Sequence, residues 1–137
     1  LRAGCDGFRL DVADELPSEF LDLLRQRVRQ LRPDALVLGE VWEDASNKSA
    51  YGEYRKYFVN GQLDSVMNYP FRTAILNFIR GRDSGKALRD TVMTIAENYP
   101  PQVFHCNMNL LGTHDTPRIL TALVDDFEGP REAQATT

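Results

Sequence analysis

The sequence lacks long apolar runs and any excess of basic charge, and it carries only two cysteines, Cys5 and Cys106. Each shortage removes a class of protein. No stretch approaches the ~20 apolar residues that a membrane-crossing helix needs. A formal charge of −4 argues against nucleic-acid binding, which calls for a concentrated basic face. The arginines at positions 25, 27, 29 and 32 sit in a helix-like stretch and read as a solvated face. Two cysteines are too few for a disulfide framework, so both are expected as free thiols in a reducing compartment, which favours the cytoplasm. The opening Leu1-Arg2-Ala3-Gly4-Cys5-Asp6 has neither the basic start nor the apolar core of a signal peptide. It also lacks an initiator Met, and an excised piece of a longer chain is expected.

What remains is ordinary for a globular domain: 137 residues, 42% hydrophobic and 26% charged. Apolar runs of strand length alternate with amphipathic stretches. Gly7 to Val12 reads as a buried strand. A helix is predicted from Pro17 to Leu31, with Phe20, Leu23, Leu24, Val28 and Leu31 on the stripe facing a sheet. Ala35 to Gly39 is a second strand, ending on Glu40, Val41 and Trp42. Ser49 to Phe58 is expected to form a short helix in a long excursion, its tyrosines 51, 54 and 57 and Phe58 serving helix packing. Leu63 to Asn68 is a third strand. Helices follow over Arg72–Arg80 and Gly85–Asn98, and Pro100-Pro101 breaks the chain. Phe104 and His105 are expected to enter a fourth strand, Asn109 to Thr113, before a last helix from Pro117 to Val124. Strand followed by helix, four times, predicts an α/β fold with parallel strands and outer helices. Residues 1–127 would form this unit and 128–137 a truncated linker or tail.

The acids stand at telling places. Asp11, Glu40 and Asp115 each fall at the end of a predicted strand, where parallel α/β folds place their chemistry. Arg9 and Asp11 are two apart on one strand and project to the same face, so the guanidinium could orient the carboxylate and favour its charge. A pair of carboxylates about 5–5.5 Å apart is the equipment of a retaining glycosidase, and adjacent strand ends can supply that spacing. Simpler roles stay open for each: Asp11 capping a loop, Glu40 pairing with Arg9, Asp115 capping the helix after Pro117. A metal site using His105, Cys106, His114 and Asp115 matches no compact zinc spacing.

Gly7-Phe8-Arg9-Leu10-Asp11, Gly39-Glu40-Val41-Trp42 and Leu111-Gly112-Thr113-His114-Asp115 resemble, in order, conserved regions II, III and IV of the α-amylase family, glycoside hydrolase family 13. The resemblance implies a partial (β/α)8 barrel, strands four to seven. It implies a retaining double displacement on α-1,4 glucosidic bonds of an α-glucan, with α-1,6 bonds left open. Asp11 matches the nucleophile, Glu40 the general acid/base and Asp115 the third catalytic acid. Arg9 and His114 match substrate-site residues. Val12-Ala13-Asp14-Glu15 is similar to the Val-Ala-Asn-Glu stretch of neopullulanases, cyclomaltodextrinases and maltogenic amylases, with Asp14 in place of Asn. Met67-Asn68-Tyr69-Pro70-Phe71 resembles the strand-six segment of the same subgroup. Glu15 and Trp42 are then acceptor-side candidates. The family's region I is not found in this stretch, and the residues of its main calcium site lie largely outside it, so no metal or cofactor is expected. A non-catalytic carbohydrate-binding relative, or a piece inactive in isolation, is the alternative. Exposed sheet edges predict self-association.

Overall fold

The computed structural model describes residues 1–124. The expected linker or tail at 128–137 lies outside them. The chain order is β1 (Gly7–Leu10), α1 (Ser18–Leu31), β2 (Leu36–Gly39), β3 (Ser49–Ala50), β4 (Glu53–Tyr54), β5 (Ser65–Val66), α2 (Tyr69–Ile79), α3 (Gly85–Asn98), α4 (Pro101–His105) and α5 (Ile119–Val124). Strands β1, β2 and β5 pair in that order, all parallel, with Arg9 opposite Leu38 and Gly39 opposite Val66. The approach of β1 to β2 is close enough to require glycine: a Cβ on Gly7 would lie 2.2 Å from the Leu36 carbonyl oxygen.

Alternation across the strands divides the residues into two layers. Val37 and Val66 join Leu21 and Val28 of α1, Ile95 of α3 and Val103 of α4 in the larger core beneath the helices. The opposite face, which would be the interior of a closed barrel, holds a smaller cluster of Leu38, Met67, Tyr69 and Leu110. The Arg9 guanidinium lies on that face, its Nε 3.5 Å from the Met67 sulfur.

Four expectations need correction. The fourth strand is reduced to a single parallel bridge between Met67 and Met108, and Asn109 to Thr113 is irregular. Phe104 and His105 belong to α4, because Pro100-Pro101 ends one helix and, with φ already preset, starts the next. The excursion after Trp42 forms the antiparallel hairpin β3–β4, not a helix; Tyr51 at positive φ and Gly52 make its turn. Tyr51 and Tyr54 are exposed there, and Tyr57 alone of the three tyrosines is buried. Finally, α1 buries Leu21, Arg25 and Val28 while Phe20, Leu23 and Leu31 stay exposed.

Arg25 explains that last rotation. Its guanidinium forks onto both oxygens of Asp64, one bond measuring 2.7 Å, and Asp64 also accepts the Val37 amide at 2.8 Å. One carboxylate thus ties α1 to the start of β2 and to the entry of β5. Burial by itself would raise the Asp64 pKa. The hydrogen bonds from Arg25 and Val37 and the charges of Arg25 and Arg29 outweigh it, and the pKa is lowered. A lowered carboxylate pKa contributes stability above the unfolded value of about 3.9, and that contribution is lost as pH falls through the folded value. Arg25→Met is expected to cost about 2 kcal/mol near neutral pH, less than a fully buried broken pair because Asp64 is 25% exposed. In urea denaturation the variant should also lose less stability than the parent on acidification to about pH 3. Equal acid sensitivity of the two proteins would remove Asp64 from this role.

Candidate active site

The carboxyl ends of β1, β2 and β5 open onto one surface, and the chain leaves each strand there through a functional side chain. After β1 come Asp11 and Val12. Val12 takes a left-handed conformation, φ 42° and ψ 57°, which a β-branched residue avoids unless its surroundings compel it. The compelling contact is visible: the Val12 amide donates to Glu40 Oε2 at 2.9 Å. Glu40 follows β2, and its backbone continues the ladder by donating to Leu10 O at 2.9 Å and accepting from the Ala13 amide at 3.0 Å. The preceding Gly39 leaves room for Leu63, whose Cδ1 would lie 2.5 Å from any added Cβ. Glu40 is therefore fixed at both main chain and side chain, and only 4% of it is exposed.

Arg9 joins the first two acids. Its Nη1 pairs with Asp11 and its Nη2 lies 2.9 Å from Glu40 Oε1. Burial works against the guanidinium charge, but the hydrogen bond to Asp11 and the fields of Glu40 and Asp11 prevail and leave the Arg9 pKa raised. Two ion-pair contacts and the span of a guanidinium keep the two carboxylates within roughly 8 Å of one another. Their surroundings differ, since Glu40 is enclosed whereas the Asp11 side chain is 70% exposed.

The third acid is held less directly. Asp115 lies in a turn, its amide 3.2 Å from Thr113 Oγ1 and its carboxylate 3.0 Å from His114 Nε2. Both side chains are open to solvent. The link to the other acids runs through Tyr69, whose hydroxyl is 3.4 Å from Glu40 Oε1 and 3.5 Å from Thr113 Oγ1. Burial first, then the charges of Glu40 and Asp115, raise the Tyr69 pKa, and the Thr113 contact opposes them in part. Trp42 stacks on the Tyr69 ring, centroids 4.0 Å apart and planes 12° from parallel, and remains half exposed. Glu15 stands on the surface at the end of a 3₁₀ turn, Ala13–Glu15. The structure therefore gathers Arg9, Asp11 and Glu40 tightly, and brings Trp42, Asp115 and His114 in through Tyr69 and Thr113.

Tyr69 is the site residue that sequence reasoning passed over. The signal was present: it lies two residues beyond Met67, so alternation from the third strand puts both on one face. Among the described residues, no group of three or more His, Cys, Asp or Glu side chains has the arrangement to hold a metal ion.

Parallel strands with helices on one face, and carboxylates at the carboxyl ends of β1 and β2, fit a segment of a (β/α)8 barrel. The chain belongs to the α-amylase catalytic-domain family, whose model matches residues 1–136. It is 42% identical over 122 residues to a cyclomaltodextrinase from Geobacillus thermopakistaniensis, a match covering 88% of this chain and 19% of that protein. It is 39% identical over 123 residues to neopullulanase 2 of Thermoactinomyces vulgaris, covering 89% and 20% respectively. The chain thus spans about a fifth of the length of these curated relatives. Among solved structures, a cyclic α-maltosyl-(1→6)-maltose hydrolase from Arthrobacter globiformis superposes with a TM-score of 0.80 at 28% identity, over 90% of this chain and 26% of that one. The partial-barrel architecture follows from the same comparison.

Proposed function

We propose that the chain is part of the catalytic barrel of a retaining α-glucan hydrolase. The observation that carries this reading is Arg9, which holds Asp11 and Glu40 together at adjacent strand ends. In the first displacement an Asp11 oxygen bonds to the anomeric carbon as the glycosidic C–O bond breaks, and Glu40 gives its proton to the departing oxygen. In the second, Glu40 takes a proton from water, the water oxygen bonds to the anomeric carbon, and the Asp11 ester bond breaks. Asp115 and His114, on the rim beyond Tyr69, would grip sugar hydroxyls at the cleavage point. Glu15 and Trp42 would contact the acceptor side. The names of the relatives, cyclomaltodextrinase and neopullulanase among them, support α-glucan as the substrate class and α-1,4 bonds as the first linkage to test.

The chain alone would lack a wall of the cleft, and transition-state binding needs both. The exposed Asp11 and the uncovered stripe of Phe20, Leu23 and Leu31 on α1 support a longer barrel whose further helices and strands cover these surfaces. The same apolar stripe and the free edge of β1 are the surfaces through which the isolated chain would self-associate. The exposed free thiols Cys5 and Cys106 support a cytoplasmic setting. No helix among the described residues is long and apolar enough to cross a membrane.

The test is reducing-sugar release from cyclomaltodextrin, pullulan and starch by the full-length protein carrying this chain, beside the chain alone. Activity is expected in the full-length protein only, with Asp11→Asn and Glu40→Gln each lowering kcat by about a thousandfold or more. A folded full-length protein without glucan cleavage would overturn the catalytic reading and favour a sugar-binding relative. In the same samples, sedimentation of the chain alone should show dimers or larger species; a strict monomer would refute self-association.

A further inference from the structure

The loop that carries Asp11 is gripped by the segment that follows Trp42. Asp14, in the 3₁₀ turn after Val12, accepts a hydrogen bond from the Tyr57 hydroxyl on Oδ1 at 2.6 Å. Its Oδ2 lies 3.1 Å from Lys48 Nζ. Lys48 also pairs with Glu43, the residue next to Trp42. Arg55, 4% exposed, donates to the backbone carbonyls of Asp14 and, at 2.9 Å, Leu16. One ammonium therefore bridges two carboxylates that leave different strands: Asp14 beyond β1 and Glu43 beyond β2. About a fifth of each of the Lys48 and Asp14 side chains is exposed, so their attraction is less screened than that of a surface pair. Burial opposes the Lys48 charge, yet the hydrogen bonds to Glu43 and Asp14 leave its pKa raised.

We propose that Asp14 and Lys48 form a staple that sets the gap between the loop bearing Asp11 and Glu15 and the loop bearing Glu40 and Trp42. This makes Asp14 a positioning residue for the acceptor side of the cleft. The direction follows from the chemistry of the proposed reaction, on which this inference rests. The acid/base protonates the departing oxygen, so the leaving sugar lies on the side of the loop bearing Glu40 and Trp42. The Asp14 carboxylate supplies the charge that pairs with Lys48, whereas the Tyr57 bond requires only an acceptor oxygen.

Asp14→Asn keeps that acceptor and removes the ion pair; Lys48→Met removes it from the other end. In the full-length protein each is expected to lower kcat/KM for maltohexaose about tenfold, mainly through KM, with cleavage of 4-nitrophenyl α-maltoside changed less than twofold. The double variant should lose no more than either single one, and Lys48→Arg should restore most of the loss. Additive losses, or equal losses on both substrates, would overturn the proposal. A readout independent of turnover is hydrogen exchange at the Val12 and Glu15 amides, expected to quicken about tenfold in Asp14→Asn. If the parent cleaves no glucan, the reading of the site fails while exchange still decides the staple: unchanged exchange overturns it.

Discussion

The contacts of the Arg9 guanidinium with Asp11 and Glu40 are the interaction on which the site depends. It places a cation between two carboxylates that would otherwise repel one another at neighbouring strand ends. Several features follow from that arrangement. Arg9 has to project from the sheet face opposite the helices, which fixes the alternation of β1. Glu40, enclosed beside it, accepts the Val12 amide and thereby holds Val12 in a conformation it would not choose. The chain after Asp11 then turns sharply into the segment that Lys48, Arg55 and Tyr57 hold from the other side.

The scaffold beneath the site depends on a second ion pair of the same kind. Arg25 and Asp64 lock α1 to β2, which carries Glu40, and to the neighbouring β5, and they do so at the end of the sheet away from the candidate site. The tyrosines serve as polar ties. Tyr57 binds Asp14, and burial pushes its pKa well up; Tyr99 accepts the Ala45 amide, and burial brings its pKa to about 12. Both phenols therefore stay neutral through the physiological range and act as fixed hydrogen-bonding groups.

Much of this was legible in the sequence where a side chain's role depends on local period. The strands expected over Gly7 to Val12 and Ala35 to Gly39 form over Gly7–Leu10, half-exposed, and Leu36–Gly39, the helix Gly85–Asn98 forms as its pattern indicates, and two-residue spacing put Arg9 and Asp11 on one face. The reading failed where a distant partner decides. The stripe of α1 was drawn through Phe20, Leu23 and Leu31 because they are apolar, yet Asp64 turns Arg25 inward. A helix was expected over Ser49–Phe58 because hairpin pairing between Ser49–Ala50 and Glu53–Tyr54 leaves almost no periodic trace in two-residue strands. Asp115 was placed at the end of a strand over Asn109 to Thr113, but the one bridge falls just before it, at Met108, and the acid sits in a turn. Tyr69 was seen as part of a family segment, and its position over Glu40 needed the fold.

The most direct test of the central claim, that Asp11 and Glu40 act as nucleophile and acid/base of one double displacement, is the anomeric configuration of the first-formed product. Proton NMR of maltotriose hydrolysis by the full-length protein, read before mutarotation, reports it. Release of the α-anomer is expected, because two displacements at the same carbon restore its configuration. Release of the β-anomer would mean a single displacement by water, and would contradict the role assigned to Asp11.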